Sequence, residues 1–278
     1  MRSIESLLAD AFTGDMLTLP ETFQGLPGMA HGGSVLAAFD SIATRAGASA
    51  PRDIFGAYRR KVALNTSLPL EIRSSATGVE FHLSEGENLL VEGSVRPAAP
   101  PSTRPALPRQ RDEGSPLPIS DHCFACGTEN LLGLQVGLRF DEQRVWIEYL
   151  PREPFRTNDG RVATAALTTL LDEAAFWLGA LATGESGMTT ELRVTLHRPQ
   201  VEFGKPLIVL GSREQAVPRT GDERYWETTA TILSTEGNLV ASARITFVAV
   251  RGAAKRLIAG ILKLNPPEIL RRIFPAYS

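Results

Sequence analysis

One stretch of this 278-residue chain is repeated later in it, which restricts the fold to two units of like plan. Residues 20–43 read PETFQGLPGMAHGGSVLAAFDSIA, and residues 152–175 read REPFRTNDGRVATAALTTLLDEAA. Laid over one another without gaps, they align Phe23 with Phe155, Gly28 with Gly160 and Asp40 with Asp172, each pair 132 positions apart. The copies are unequal where chemistry would sit. His31, Gly32 and Gly33 of the first stand opposite Ala163, Thr164 and Ala165 of the second.

Length agrees with two domains at about 150 residues each. A hydrophobic share of 43% and a charged share of 22% are those of a chain that buries a core. With 29 Lys and Arg against 31 Asp and Glu, overall charge gives no reason to expect a nucleic-acid partner. The two cysteines, Cys123 and Cys126, form a single CxxC, which excludes a disulfide framework and fits a reducing compartment. A closed zinc site needs four ligands and the neighbouring His122 supplies only a third, so the pair reads as small buried side chains with no metal. No apolar run approaches the roughly 18 residues of a membrane span, and Glu5 and Asp10 stand where a secretory signal is uncharged. The expectation is a cytoplasmic protein.

Residues 97–118, PAAPPSTRPALPRQRDEGSPLP, are rich in proline and charge without apolar periodicity, the composition of an extended linker. The expected organisation is therefore a first domain over 1–96, the linker, a second domain over 119–252 and a tail over 253–278. In each domain an Ala- and Leu-rich helix, over 34–46 and 166–182, follows a Gly-containing turn. Strand-like runs come after it, at 55–62, 70–75, 78–83 and 89–95 in the first domain and at 191–197, 207–215, 226–234 and 238–250 in the second. One helix followed by an antiparallel meander is an α+β plan.

The run Met29-Ala30-His31-Gly32-Gly33-Ser34-Val35-Leu36-Ala37-Ala38-Phe39-Asp40 resembles the helix start of hotdog-fold acyl-CoA thioesterases of the phenylacetate-degradation type, where HGG precedes the helix and an acid follows. Cys123-Phe124-Ala125-Cys126-Gly127, Asn130 and Gly133-Leu134 resemble that family's opening signature, Leu170-Leu171-Asp172-Glu173-Ala174 its helix, and His197-Arg198-Pro199 the strand that follows. The resemblance implies a helix wrapped by an antiparallel sheet, usually dimeric with the sheets joined edge to edge. Two copies in one chain would form that pair internally, as a tandem double hotdog. Some relatives carry an amide side chain six residues before the histidine, where this chain has Gly25 and, in the second copy, Thr157.

Glycines at a helix start let a ligand approach unpaired N–H groups at the positive end of the helix dipole. A thioester carbonyl against Gly32 and Gly33 would be polarised, and the oxyanion formed on attack would be stabilised there. Asp40 follows Gly32 by eight positions, about 12 Å of helix. The acid is therefore better drawn from the other copy, as the family's shared interfacial sites also imply. This pairs His31, Gly32 and Gly33 with Asp172, and leaves Asp40 with Ala163, Thr164 and Ala165 as a degenerate second site. Neighbouring helix residues point about 100° apart, so Glu173 is not expected to share the pocket with Asp172. Apolar neighbours would desolvate Asp172 and raise its pKa toward a general-base range. Thr189 and Thr190 are candidates to orient the attacking water, and Arg59, Arg60, Lys61, Arg198 and Lys205 to meet CoA phosphates. His31 positions the turn or touches substrate.

The leading expectation is hydrolysis of an acyl-CoA or acyl-carrier thioester, without a cofactor beyond the CoA of the substrate. A non-catalytic acyl or small-ligand binder is the alternative. A hydratase or dehydratase ranks third, because neither copy alone offers an Asp and His pair at its helix start. The tail alternates basic residues with Leu, Ile and Phe and is broken at Pro266-Pro267, which predicts two short amphipathic helices. They pack on the protein's own sheet or on another subunit, with an anionic membrane as the lesser alternative. A homodimer of double hotdogs is the assembly this plan admits.

Overall fold

The computed structural model describes residues 2–100 and 114–277, so residues 101–113 of the expected linker lie outside the described part. Two helices rich in Ala and Leu and free of proline form the centre: α2 (Gly32–Arg45) and α3 (Thr164–Thr183) follow a first helix, α1 (Ile4–Ala11). Gly184, at φ 65° in the left-handed region, ends α3 as glycine commonly does. Each copied segment turns into its helix by the same hydrogen bonds. His31 N–H donates to the Phe23 carbonyl and Ala163 N–H to the Phe155 carbonyl, both at 2.8 Å, and Gly25 N–H meets Met29 O as Thr157 N–H meets Arg161 O, both at 2.9 Å. Gly28 and Gly160 hold φ of 71° and 77°, where a side chain would strain the turn. The 132-residue offset is thus a structural equivalence.

Among the described residues nine principal strands surround the helices: β1 (Arg52–Tyr58), β2 (Leu68–Ser75), β3 (Gly78–Glu85), β4 (Asn88–Pro97), β5 (Arg144–Tyr149), β6 (Gly187–Leu196), β7 (Leu207–Ser212), β8 (Tyr225–Ser234) and β9 (Leu239–Ala249). They pair antiparallel in the order β2-β3-β4-β1-β6-β9-β8-β7-β5, with two-residue strands extending both edges. From the centre outward the sequence β1-β4-β3-β2 is matched by β6-β9-β8-β7. The halves join where β1 pairs with β6, from Arg52 opposite Leu196 to Ala57 opposite Glu191. Alternation along the strands turns one side chain in two toward the helices, as in β3, where Val79, Phe81 and Leu83 are buried. Phe39 of α2 stacks on Phe81 with ring centroids 4.6 Å apart. Each such fully buried side chain contributes about 1.5–3 kcal/mol.

Several boundaries differ from the sequence reading. The strand expected over 55–62 is β1, which ends at Tyr58, because Arg59 N–H and Arg60 N–H both turn to the carbonyl of Leu90 and lead the chain out of the sheet. Helix α1 and strand β5 were not anticipated. Against the expectation of no apolar run near spanning length, α3 has the length and apolarity of a membrane span, with a mean hydropathy of 1.3. Of that window 83% is buried inside the protein, as a core helix requires. The tail forms α4 (Ala253–Gly260) and α5 (Pro267–Ile273), broken at Pro266-Pro267, and packs inward through Leu257, Leu262, Leu270, Ile273 and Phe274.

Candidate functional site

Helix α2 begins at its N-cap His31, whose Nδ1 accepts weakly from Gly33 N–H at 3.2 Å, and the other half of the chain supplies a closer, anionic acceptor. Gly33 N–H donates to Asp172 Oδ2 of α3 at 2.8 Å, and His31 Nδ1 lies 3.1 Å from the same oxygen. Thr189 Oγ1, at the start of β6, donates to Asp172 Oδ1 at 3.0 Å. The structure therefore brings His31 and Gly33 into direct contact with Asp172 across the halves, with Gly32 beside that carboxylate. Their parts differ from the expected ones. The Gly33 amide is spent on Asp172 and is not free for a substrate oxygen. Among the described residues, Gly32 N–H keeps no partner.

The glycines admit a helix as much as a ligand. A Cβ on Gly33 would lie 2.7 Å from Thr169 Cα and 2.8 Å from Thr168 O, so this residue sets how closely α2 and α3 cross. A Cβ on Gly32 would meet Asp172 Oδ2 at 2.7 Å. Thr168 Oγ1 donates to Gly33 O at 2.8 Å, and Tyr58 hydroxyl to Gly32 O at 2.7 Å. Burial, with Asp172 nearby, pushes the Tyr58 phenol well above its ordinary range and keeps it a donor.

Glu173 overturns the expectation drawn from the 100° helical step. It shares the pocket with Asp172, its Oε2 lying 3.4 Å from His31 Nε2 while Trp177 Nε1 donates to Oε1 at 2.9 Å. The imidazole has nitrogens on two edges, and glutamate's extra methylene spans the angular gap. Burial lowers the pKa of His31, but the hydrogen bond and charge of Asp172, the hydrogen bond of Glu173 and the charge of Cys123 outweigh it and raise the group well above its usual value. An Asp and His pair thus stands at a helix start after all, assembled from both copies.

These groups line a cavity of about 250 Å³. Its apolar walls include Leu26, Met29, Phe176, Trp177 and Met188, and α4 closes one side with Leu257. Arg59, Arg60 and Lys61 also line it. Cys123 and Cys126 reach it from the loop before β5; a hydrogen bond from Cys126 lowers the pKa of the Cys123 thiol, and that shared proton with burial raises Cys126.

Other candidates sit elsewhere. Asp40 is buried in a bidentate pair with Arg52, Nε to Oδ1 at 2.6 Å and Nη2 to Oδ2 at 2.8 Å, and makes no hydrogen bond to Ala163, Thr164 or Ala165 among the described residues. Thr190 hydroxyl is occupied by Thr246 O at 3.0 Å, so of the two threonines Thr189 alone bears on Asp172. Arg198 and Lys205 do not line the cavity. Arg198 N–H bonds Val240 O as Arg60 N–H bonds Leu90 O, which places Arg198 at the equivalent position of the other half, and Lys205 pairs with Glu202 at 2.8 Å. Sequence reasoning missed Tyr58, Glu173 and Arg52 as partners. Only Glu173, adjacent to the chosen acid, left a signal that could have been followed.

No known sequence family matches the chain, and no curated protein does. Solved structures do. A candidate thioesterase II from Thermobifida fusca YX is 16% identical, with a TM-score of 0.62 over 88% of this chain and 97% of its own. A hot dog fold protein of unknown function from Alicyclobacillus acidocaldarius is 15% identical, with a TM-score of 0.59 over 87% and 97%. A GphF dehydratase variant is 15% identical, with a TM-score of 0.53 over 88% and 89%. The chain has the hotdog fold twice over, and the fold is shared by proteins named for different reactions.

Proposed function

We propose that the chain hydrolyses acyl thioesters at the cavity beside the start of α2. The observation that carries this reading is a carboxylate of one half held at the helix N-terminus of the other, within an apolar cavity bordered by three cationic side chains. Asp172 Oδ2 accepts from Gly33 and faces His31, but among the described residues Oδ1 accepts only from Thr189. A carboxylate oxygen has two lone pairs, so Oδ1 keeps one for water. Asp172 removes a proton from that water as its oxygen attacks the carbonyl carbon. The oxyanion develops against the free Gly32 amide and the α2 dipole. Collapse expels the thiolate, which recovers the proton from Asp172. His31 and Thr189 fix the carboxylate, the apolar wall takes the acyl group, and Arg59, Arg60 and Lys61 meet the phosphates of CoA or a carrier pantetheine.

Thiol release across a panel of acyl-CoAs tests the reading. Asp172→Asn lowers turnover by about 10²–10⁴-fold, the usual loss on removing a general base. Asp40→Asn retains the wild-type kcat. Equal turnover in wild type and Asp172→Asn would sink the assignment. A second reading follows from the His31 and Asp172 contact, which is also a suitable proton-transfer pair for hydration or dehydration of an acyl chain. Product analysis with enoyl-CoA and 3-hydroxyacyl-CoA separates the two, since hydration leaves the thioester intact.

A further inference from the structure

The sequence suggested His122 as the only histidine near the CxxC, but its side chain is 63% exposed and faces Glu129. The fold brings His31 of the first half to Cys123 instead, with Glu173 as a third group. One ligand atom from each of these three buried residues lies within 4.8 Å of the others. The geometry points to a three-ligand site for a divalent transition-metal ion of the zinc type, formed by His31 Nε2, Cys123 Sγ and a carboxylate oxygen of Glu173 beside the cavity.

The spacing is close to what such an ion requires. Bonds of about 2.0–2.3 Å at tetrahedral angles set ligand atoms about 3.3–3.8 Å apart, and His31 Nε2 is already 3.4 Å from Glu173 Oε2. Each ligand is also held by an outer contact of the kind that orients metal sites. His31 Nδ1 faces Asp172, Trp177 Nε1 holds the second oxygen of Glu173, and Ala125 N–H points at Cys123 Sγ at 3.4 Å. Charge argues in the same direction. Asp172 and Glu173 are 4% and 6% exposed, and among the described residues His31 is the one buried basic side chain paired with them. Buried carboxylates in excess of their cations are costly, and a divalent ion offsets the excess. On binding, Cys123 coordinates as thiolate and His31 through its neutral Nε2, with their protons passing to solvent. The fourth position is left to water or ligand, because Cys126, which contacts Ser120 Oγ at 3.7 Å, stands outside the three-residue group.

This inference is independent of thioester hydrolysis and is tested without substrate. The full chain, stripped with chelator under reducing conditions, is titrated with Co²⁺ and followed by optical absorption. One equivalent binds, with a thiolate-to-cobalt charge-transfer band. Cys123→Ser abolishes the band, and Glu173→Gln, nearly isosteric and checked for folding by circular dichroism, weakens binding at least about tenfold. Cys126→Ser and His122→Ala keep both band and affinity. Absence of saturable Co²⁺ uptake by the wild type, a band that survives Cys123→Ser, or loss of uptake in Cys126→Ser or His122→Ala would overturn the site.

Discussion

At the scale of single residues, the two aspartates aligned by the repeat have separated into different tasks. Asp172 caps the opposite helix within a cavity, whereas Asp40 neutralises the buried Arg52. Replacing Asp40 by Asn leaves Arg52 buried without its counter-charge and is expected to cost about 3–5 kcal/mol of stability while leaving kcat intact. Chemical denaturation beside thiol release measures both. The two glycines are expected to differ in the same way. Gly33→Ala forces a methyl against the backbone of α3 and destabilises by about 1–3 kcal/mol, with no nearby flexible group to give way. Gly32→Ala presses only on the Asp172 carboxylate, so turnover falls more than stability. If Gly33→Ala melted like the wild type, the close helix crossing would be wrong. The HGG motif and the acid were legible in the sequence. That the motif serves the acid before any ligand was not, since a contact between residues 33 and 172 leaves no trace in local pattern.

At the scale of elements, helices and strands were legible wherever periodicity and composition agreed, as in α2, α3 and the four-strand meanders. Short elements whose stability comes from elsewhere were not. Helix α1 has eight residues and depends on burying Ile4, Leu8 and Ala11. The tail was legible in outline, and its docking depends on Glu185 just beyond α3. Gly252 N–H and Ala254 N–H at the start of α4 donate to the Glu185 carboxylate, and the Tyr277 hydroxyl donates to it as well. Partial burial raises the pKa of this acid, but these donors outweigh it and hold it below its usual 4.5. A depressed folded-state value means that the contribution is present above pH 4.5 and is lost as pH falls through the folded pKa. The tail should therefore become sensitive to protease in acid, whereas Glu185→Gln makes it sensitive already at neutral pH and removes the acid step. Limited proteolysis across pH measures this, and an unchanged profile in Glu185→Gln would assign the docking to apolar packing alone.

At the scale of the whole molecule, one sheet packs around two helices, and the crossing of α2 with α3 places the start of α2 against the other half. The halves are equivalent in backbone and unequal in side chains, so one site per chain is expected. A non-hydrolysable acyl thioether analogue should bind with a stoichiometry of one by calorimetry, and a value of two would restore the second site to function. The sequence by itself determined that the chain has two like units, that each is a helix followed by a meander, and that only the first kept its glycines. Repeats, periodicity and glycine placement are local properties, written in the order of residues. Tertiary structure alone decided that Asp172 occupies the Gly33 amide, that Glu173 joins it through His31, that Asp40 turns to Arg52, and that His31 rather than His122 stands beside Cys123. Those outcomes depend on how two helices cross and how closely their backbones approach, a geometry fixed by packing across more than a hundred residues of chain.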